Sequence, residues 1–286
     1  MPFLPTVRTG VVATPAGPVT FHDSSSDGRT PIVLVHGTGG SAESHFWALF
    51  PMLAERHRVV ALDLDFGPAG PRDMAGGEDA LDAVVDQVRA VVEHVAAPGP
   101  VTVLGYSLGA VVAAAFAGRH ADLVSDLVLV AGWMVTDRQQ QLRNDVWWTL
   151  HETGSPALAE FSVLTAYSPA HLLARTPAEF AELIRRAGVG PDRTAAMRLN
   201  RHIDLTADVA AITARTLVIG CREDQMVPVH HSRLLFGGIE DARYAEIESG
   251  HAVVFERPAE LFRLVSQFIE EPGRTAPGDI LVQESM

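Results

Sequence analysis

One hydroxyl stands between two glycines at Gly105-Tyr106-Ser107-Leu108-Gly109, a G-x-S-x-G pattern. It falls where the apolar β-branched run that begins at Val101 stops and an alanine- and valine-rich stretch of helical character begins. A corner that tight strains the backbone of the serine and brings helix and strand so close that bulky neighbours would clash. In return the Oγ stands exposed near the positive end of a helix dipole, with the Leu108 backbone N–H aimed at the same point. A serine that merely caps the helix would leave the same pentapeptide, so the residues that could partner it have to decide.

A serine hydroxyl needs a base to take its proton. Of the twelve histidines, His251 has the supporting context. It lies in "IESGHAVVFERP", just after an expected strand, in a loop opened by Gly250. Loops at the carboxyl ends of strands are where an open sheet builds its site. An acid must then hold the imidazole in one tautomer and stabilise its positive form. Asp224, in "CREDQMVP" after the strand "TLVIGC", is the candidate; Glu223 beside it and Asp137 in "GWMVTD" are rivals. A second oxyanion donor is expected from "VLVHGTGGS", where the Thr38 N–H is assigned and His36 is read as a support of the loop. That glycine-rich stretch matches neither phosphate-binding pattern and contains no lysine.

The elements that must position these groups read as alternating strands and helices. Val7 to Val12 and Val19 to His22 form two short strands around a turn at Thr14-Pro15-Ala16-Gly17, followed by the polar loop "SSSDGRT". "PIVLVHG", "RVVALDL", "VTVLG", "VSDLVLVAG", "RTLVIGC" and "ARYAEIES" are apolar runs suited to strands buried on both faces. Helices are expected over "SHFWALFPMLAER", Asp79 to Ala96, the stretch after Ser107, Val229 to Leu235 and Pro258 to Ile269. The alternation implies α/β architecture with a mostly parallel central sheet flanked by helices. It breaks between 134 and 204, where only helical pieces appear: Gln140 to Glu152, Ala157 to Thr165, Pro177 to Ala187 and Arg193 to Ile203, separated by "TGSP", "SPAH" and "GVGPD". The expected organisation is a core of 1–133 and 205–271, an inserted helical cap of 134–204, and a loosely ordered tail of 272–286.

Composition narrows the function. Apolar residues make up 47% of the chain and charged residues 20%, which suits a globular fold with a sizeable core. The net charge of −13 and the lack of a basic patch argue against nucleic acid and anionic membrane as partners. The cap segment is neutral, with eight arginines and eight acids, so that deficit falls on the remainder. All 22 basic residues are arginine, which removes a lysine base or Schiff base. It accords with GC-rich coding and leans toward a bacterial metabolic or secondary-metabolite enzyme. A single cysteine, Cys221, excludes an internal disulfide and a multi-cysteine metal site. "MPFLPTVRTG" lacks the features of a signal peptide and no apolar run is long enough to span a bilayer, so a cytoplasmic location is expected.

In "HGTGG", "GYSLG", "GCREDQMVP" and "SGH", in that order, the chain resembles the α/β-hydrolase family from about Val7 to Ile269. The resemblance implies Ser107 as nucleophile, Asp224 as acid, His251 as base, and the Thr38 and Leu108 N–H groups as the oxyanion hole. The loop "DFGPAGPRD" departs from the D-x-x-G-x-G-x-S pattern of many relatives. Serine at 107 argues against the aspartate-nucleophile dehalogenases and epoxide hydrolases. Thr38 after His-Gly argues against perhydrolases, and Ala252 against carbon–carbon bond hydrolases. What remains is hydrolysis of an ester, thioester or lactone of a small molecule, with no cofactor or metal. A cyclase-like tailoring enzyme or a binding module that reuses the pocket is the alternative. Trp133, Met134, Trp147, Trp148, Phe161, Leu164, Met197 and His202 are expected to line a roomy apolar pocket for a bulky hydrophobic group. Arg198 and Arg201 could there meet an anion.

Overall fold

The computed structural model describes residues 7–24, 30–72, 78–95 and 99–281. The unbroken apolar runs become the middle of one sheet. Its strands are β1 (Arg8–Thr14), β2 (Gly17–Asp23), β3 (Ile32–Val35), β4 (Val59–Asp63), β5 (Val101–Tyr106), β6 (Val124–Val130), β7 (Arg215–Cys221), β8 (Ala242–Ile247) and β9 (Ile280–Leu281). They lie in the order β1-β2-β4-β3-β5-β6-β7-β8-β9. The β1–β2 and β2–β4 pairs are antiparallel and every other pair is parallel. Because helices cover both faces, successive strand residues enter different cores, which is why the runs show no polar alternation. Val33 and Val35 belong to one core, Ile32 and Leu34 to the other.

The helices are α1 (Ala42–Phe46), α2 (Leu49–Ala54), α3 (Glu78–Val95), α4 (Leu108–Arg119), α5 (Arg138–Glu152), α6 (Ala157–Ala166), α7 (Pro169–Leu173), α8 (Pro177–Ala187), α9 (Thr194–Leu199), α10 (Thr206–Ala210), α11 (His230–Gly238), α12 (Val253–Glu256) and α13 (Pro258–Glu270). The side chains of α3 and α4 pack in the first core, and those of α1, α2 and α13 in the second. Every residue of α4 from Leu108 to Ala117 is buried, as expected of a helix that is apolar all round. Helices α5 to α9 lie between β6 and β7. The ends of this segment are zipped together: Leu205 N–H donates to Met134 O at 2.9 Å and Thr136 N–H to Ile203 O at 3.0 Å.

Four expectations about elements change. "SHFWALFPMLAER" is two helices, because Pro51 has no N–H to give the Trp47 carbonyl and its ring crowds that turn. "SPAH" is no separator but the start of α7, with Ser168 accepting from the His171 N–H at 3.1 Å and Pro169 in the first turn. The last helix of the insertion stops at Leu199, short of Ile203. The segment after 271 is not loose over 272–281. Tyr244 N–H donates to Asp279 O at 2.9 Å, and β9 pairs in parallel with the otherwise open edge of β8. Residues 282–286 of the expected tail and 25–29 of the polar loop lie outside the described residues.

Candidate active site

Ser107 sits between β5 and α4 with φ 58° and ψ −124°, a backbone that non-glycine residues rarely adopt. The neighbouring glycines make that geometry possible. A Cβ on Gly105 would overlap the Gly109 carbonyl oxygen, and one on Gly109 would overlap the Val35 carbonyl oxygen. The strain lifts Oγ off the helix axis toward the carboxyl edge of the sheet, where the loops after β7 and β8 deliver the other two groups.

His251 Nε2 lies 2.8 Å from Ser107 Oγ, and its Nδ1 lies 2.7 Å from Asp224 Oδ2. The other Asp224 oxygen, Oδ1, accepts the Met226 and Val227 N–H groups, each at 2.8 Å. These two donors fix the orientation of the Asp224 carboxylate. All three side chains belong to buried residues. Glu223 uses its backbone N–H on Ser249 O and does not bond His251. Asp137 caps α5 by accepting the Gln140 N–H at 2.9 Å and faces His230 and His231 instead. Among the described residues, Asp137, His230 and His231 are the one group arranged to hold a metal, and none of the three lines the cavity beside Ser107.

The Gly37 backbone packs against the serine so closely that a Cβ there would lie 2.8 Å from Ser107 Cβ. This brings the Thr38 stretch to the nucleophile, and Asn200 Nδ2 steadies it by donating to Thr38 Oγ1 at 3.1 Å. The Leu108 N–H opens α4 and so has no acceptor within the helix. His36 has the supporting role expected of it. Its Nε2 accepts the Leu64 N–H at 2.9 Å, which leaves Nδ1–H to donate to Gly37 O at 2.8 Å.

No sequence motif marks His45, which accepts the Gly37 N–H on Nδ1 at 3.1 Å. Burial, aided by the nearby His36, pushes its pKa down to about 3. A proton on Nδ1 would set N–H against N–H and loosen the loop. The unfolded chain binds that proton below about pH 6.5 and the folded one refuses it until about 3, so stability falls as pH drops through this window. Between pH 7 and 5, wild type should lose about 2 kcal/mol more than His45→Gln. Urea denaturation at the two pH values checks this, and equal losses would contradict it.

The cavity beside Ser107 has a volume of about 170 Å³. That is below the roughly 300–1,000 Å³ of drug-sized sites and near the roughly 150 Å³ that already admits benzene. Trp133, Trp147, Phe161 and Met197 line it as expected, and so do Arg143, Asn144 and Arg193. The pocket is therefore smaller and more polar than the apolar residues alone suggested. Four expected lining residues are elsewhere. Met134 packs on the core below, Trp148 is buried in a cluster with Trp147 and Met197, and His202 is exposed because α9 ends before it. Leu164 faces an outer groove with Phe180 and Ile184. Arg198 and Arg201 are already satisfied: Arg198 donates to Pro68 O at 2.7 Å and Gly70 O at 2.8 Å, and Arg201 pairs with Asp145. Gln140, Arg143, Asn144 and Trp147 share one face of α5 by their spacing of three and four, the signal that would have found Arg143.

Residues 32–264 match the Alpha/beta hydrolase family, and the chain belongs to it. It is 30% identical over 249 residues to pyrrolizixenacetamide deacetylase of Xenorhabdus hominickii, covering 85% of this chain and 92% of that one. It is also 30% identical over 271 residues to 2-hydroxymuconate semialdehyde hydrolase of Pseudomonas sp. (strain CF600), covering 90% and 92%. The enol-lactonase from Burkholderia xenovorans LB400 superposes with a TM-score of 0.74 at 19% identity, over 92% of this chain and 100% of that one. The relatives are hydrolases of small molecules. Among the described residues, no helix is long and apolar enough to cross a membrane.

Proposed function

We propose that this chain is a serine hydrolase that cleaves an ester, thioester or lactone of a small molecule through an acyl-enzyme on Ser107. The observation that carries this reading is the hydrogen-bonded line Ser107–His251–Asp224, with both imidazole nitrogens engaged. With Nδ1–H donated to Asp224, His251 Nε2 holds a lone pair for the serine proton. Oγ attacks the acyl carbon as Nε2 takes that proton. The developing oxyanion meets the Leu108 and Thr38 N–H groups. Imidazolium then protonates the leaving group, and water enters by the same route in reverse. Asp224 stabilises the transient cation without itself taking the proton.

In this reading residues 134–204 act as a cap over the nucleophile, and Trp133, Trp147, Phe161 and Met197 enclose the substrate's reacting end. A deacetylase relative and a lactonase of the same fold support acyl transfer to water. The cavity volume favours an acyl group no larger than a phenyl ring, with the rest of the substrate extending outward. A p-nitrophenyl ester series from acetate to octanoate tests both points by stopped flow. The expected result is a burst of about one p-nitrophenolate per chain and a kcat/KM that peaks at butyrate or benzoate and falls beyond. Absence of turnover with every ester would overturn the hydrolase reading. A maximum at octanoate would overturn the size assignment.

A further inference from the structure

Arginines near the insertion are mostly satisfied by partners within the fold. Arg72 and Arg201 pair with Asp145, and Arg198 is held by backbone carbonyls of the loop after β4. Arg143 differs. It lines the cavity that also exposes Ser107 and His251, its Nε is buried, and that atom has no hydrogen-bond partner. Among the described residues no carboxylate pairs with it. Asp224 is the acid whose field reaches it, yet both Asp224 oxygens are taken, one by His251 and the other by two backbone N–H groups. Arg193, on the same cavity wall, donates only to the Ala187 carbonyl at 3.3 Å.

A guanidinium does not shed its proton in a protein. Burial works against both cations. An uncompensated charge in a cavity of this kind is unfavourable, and each unpartnered buried polar atom calls for an explanation such as a missing ligand. An anion in the cavity supplies it. A carboxylate fits the planar fork of arginine in two parallel hydrogen bonds, and the surrounding Trp133, Trp147 and Phe161 suit the carbon skeleton that bears it.

We infer that Arg143, with Arg193 beside it, is the recognition site for a carboxylate on the substrate, so that the natural substrate is an anionic ester, thioester or lactone. This rests on the hydrolase reading for the reaction, but the binding site is tested without turnover. The probes are benzoate and its neutral isostere benzamide, both close to the size of the cavity. Isothermal titration of wild type should show benzoate binding roughly 10- to 100-fold tighter than benzamide, the range for hydrogen bonds to a charged group. Arg143→Gln should remove most of that preference, and Arg143→Lys should keep part of it, since a point charge replaces a fork.

Equal affinities in wild type, no binding of either probe, or a benzoate preference that survives Arg143→Gln would overturn the site. A melting transition confirms that each variant is folded. If Arg143→Gln fails to fold, Arg143→Lys decides alone, and an unchanged benzoate affinity there counts against the fork. The p-nitrophenolate burst of wild type separates the two claims. A burst without benzoate preference removes the carboxylate site alone, and benzoate preference without a burst removes the hydrolase reading alone.

Discussion

Ser107→Ala is expected to lower kcat by roughly 10⁴-fold or more. The variant keeps the fold of the elbow, because alanine preserves the Cβ that the Gly37 backbone packs against. It removes the atom 2.8 Å from His251 Nε2 and with it any acyl-enzyme. Residual rate over water would come from the N–H groups that bind the oxyanion. Steady-state kinetics on a p-nitrophenyl ester measure the loss. Activity within tenfold of wild type would mean that another group or a water performs the attack.

Asp224→Asn should cost on the order of 10³ to 10⁴ in kcat. The reason lies in the carboxylate's surroundings. Oδ1 receives two backbone N–H groups, so the amide of asparagine must keep its oxygen on that side. Its NH₂ then faces His251 Nδ1, which has to accept. The ring proton moves to Nε2, where it points at the serine and the base is lost. Glu223→Gln should change kcat little, since Glu223 does not bond His251. The ratio of the two losses is the readout, and a larger loss for Glu223→Gln would reverse the assignment.

The strands were legible because helices cover both sheet faces, which turns buried strands into unbroken apolar runs. Ser107, Asp224 and His251 were legible because each follows such a run at its carboxyl end, and the elbow's glycines are a local steric demand. The cavity was not. Arg143 lies on α5 and Arg193 just before α9, and only the packing of these helices brings both to one cavity, which no local pattern encodes. Large apolar residues suggested the lining, yet Trp148 turns into a separate buried cluster with Trp147 and Met197. His45 reaches Gly37 across a turn of eight residues, a contact set by how α1 docks and not by any motif. The two-residue strand β9 is too short to show a period, and only the open edge of β8 makes it a strand.

Covalent labelling tests Ser107 as an activated nucleophile most directly. Wild type is treated with a fluorophosphonate, digested, and read by mass spectrometry. The expected adduct is on the peptide containing Gly105-Tyr106-Ser107-Leu108-Gly109, at Ser107 alone, with labelling abolished in Ser107→Ala and slowed strongly in His251→Ala. An unmodified Ser107, or an adduct that persists at another residue in Ser107→Ala, would contradict it.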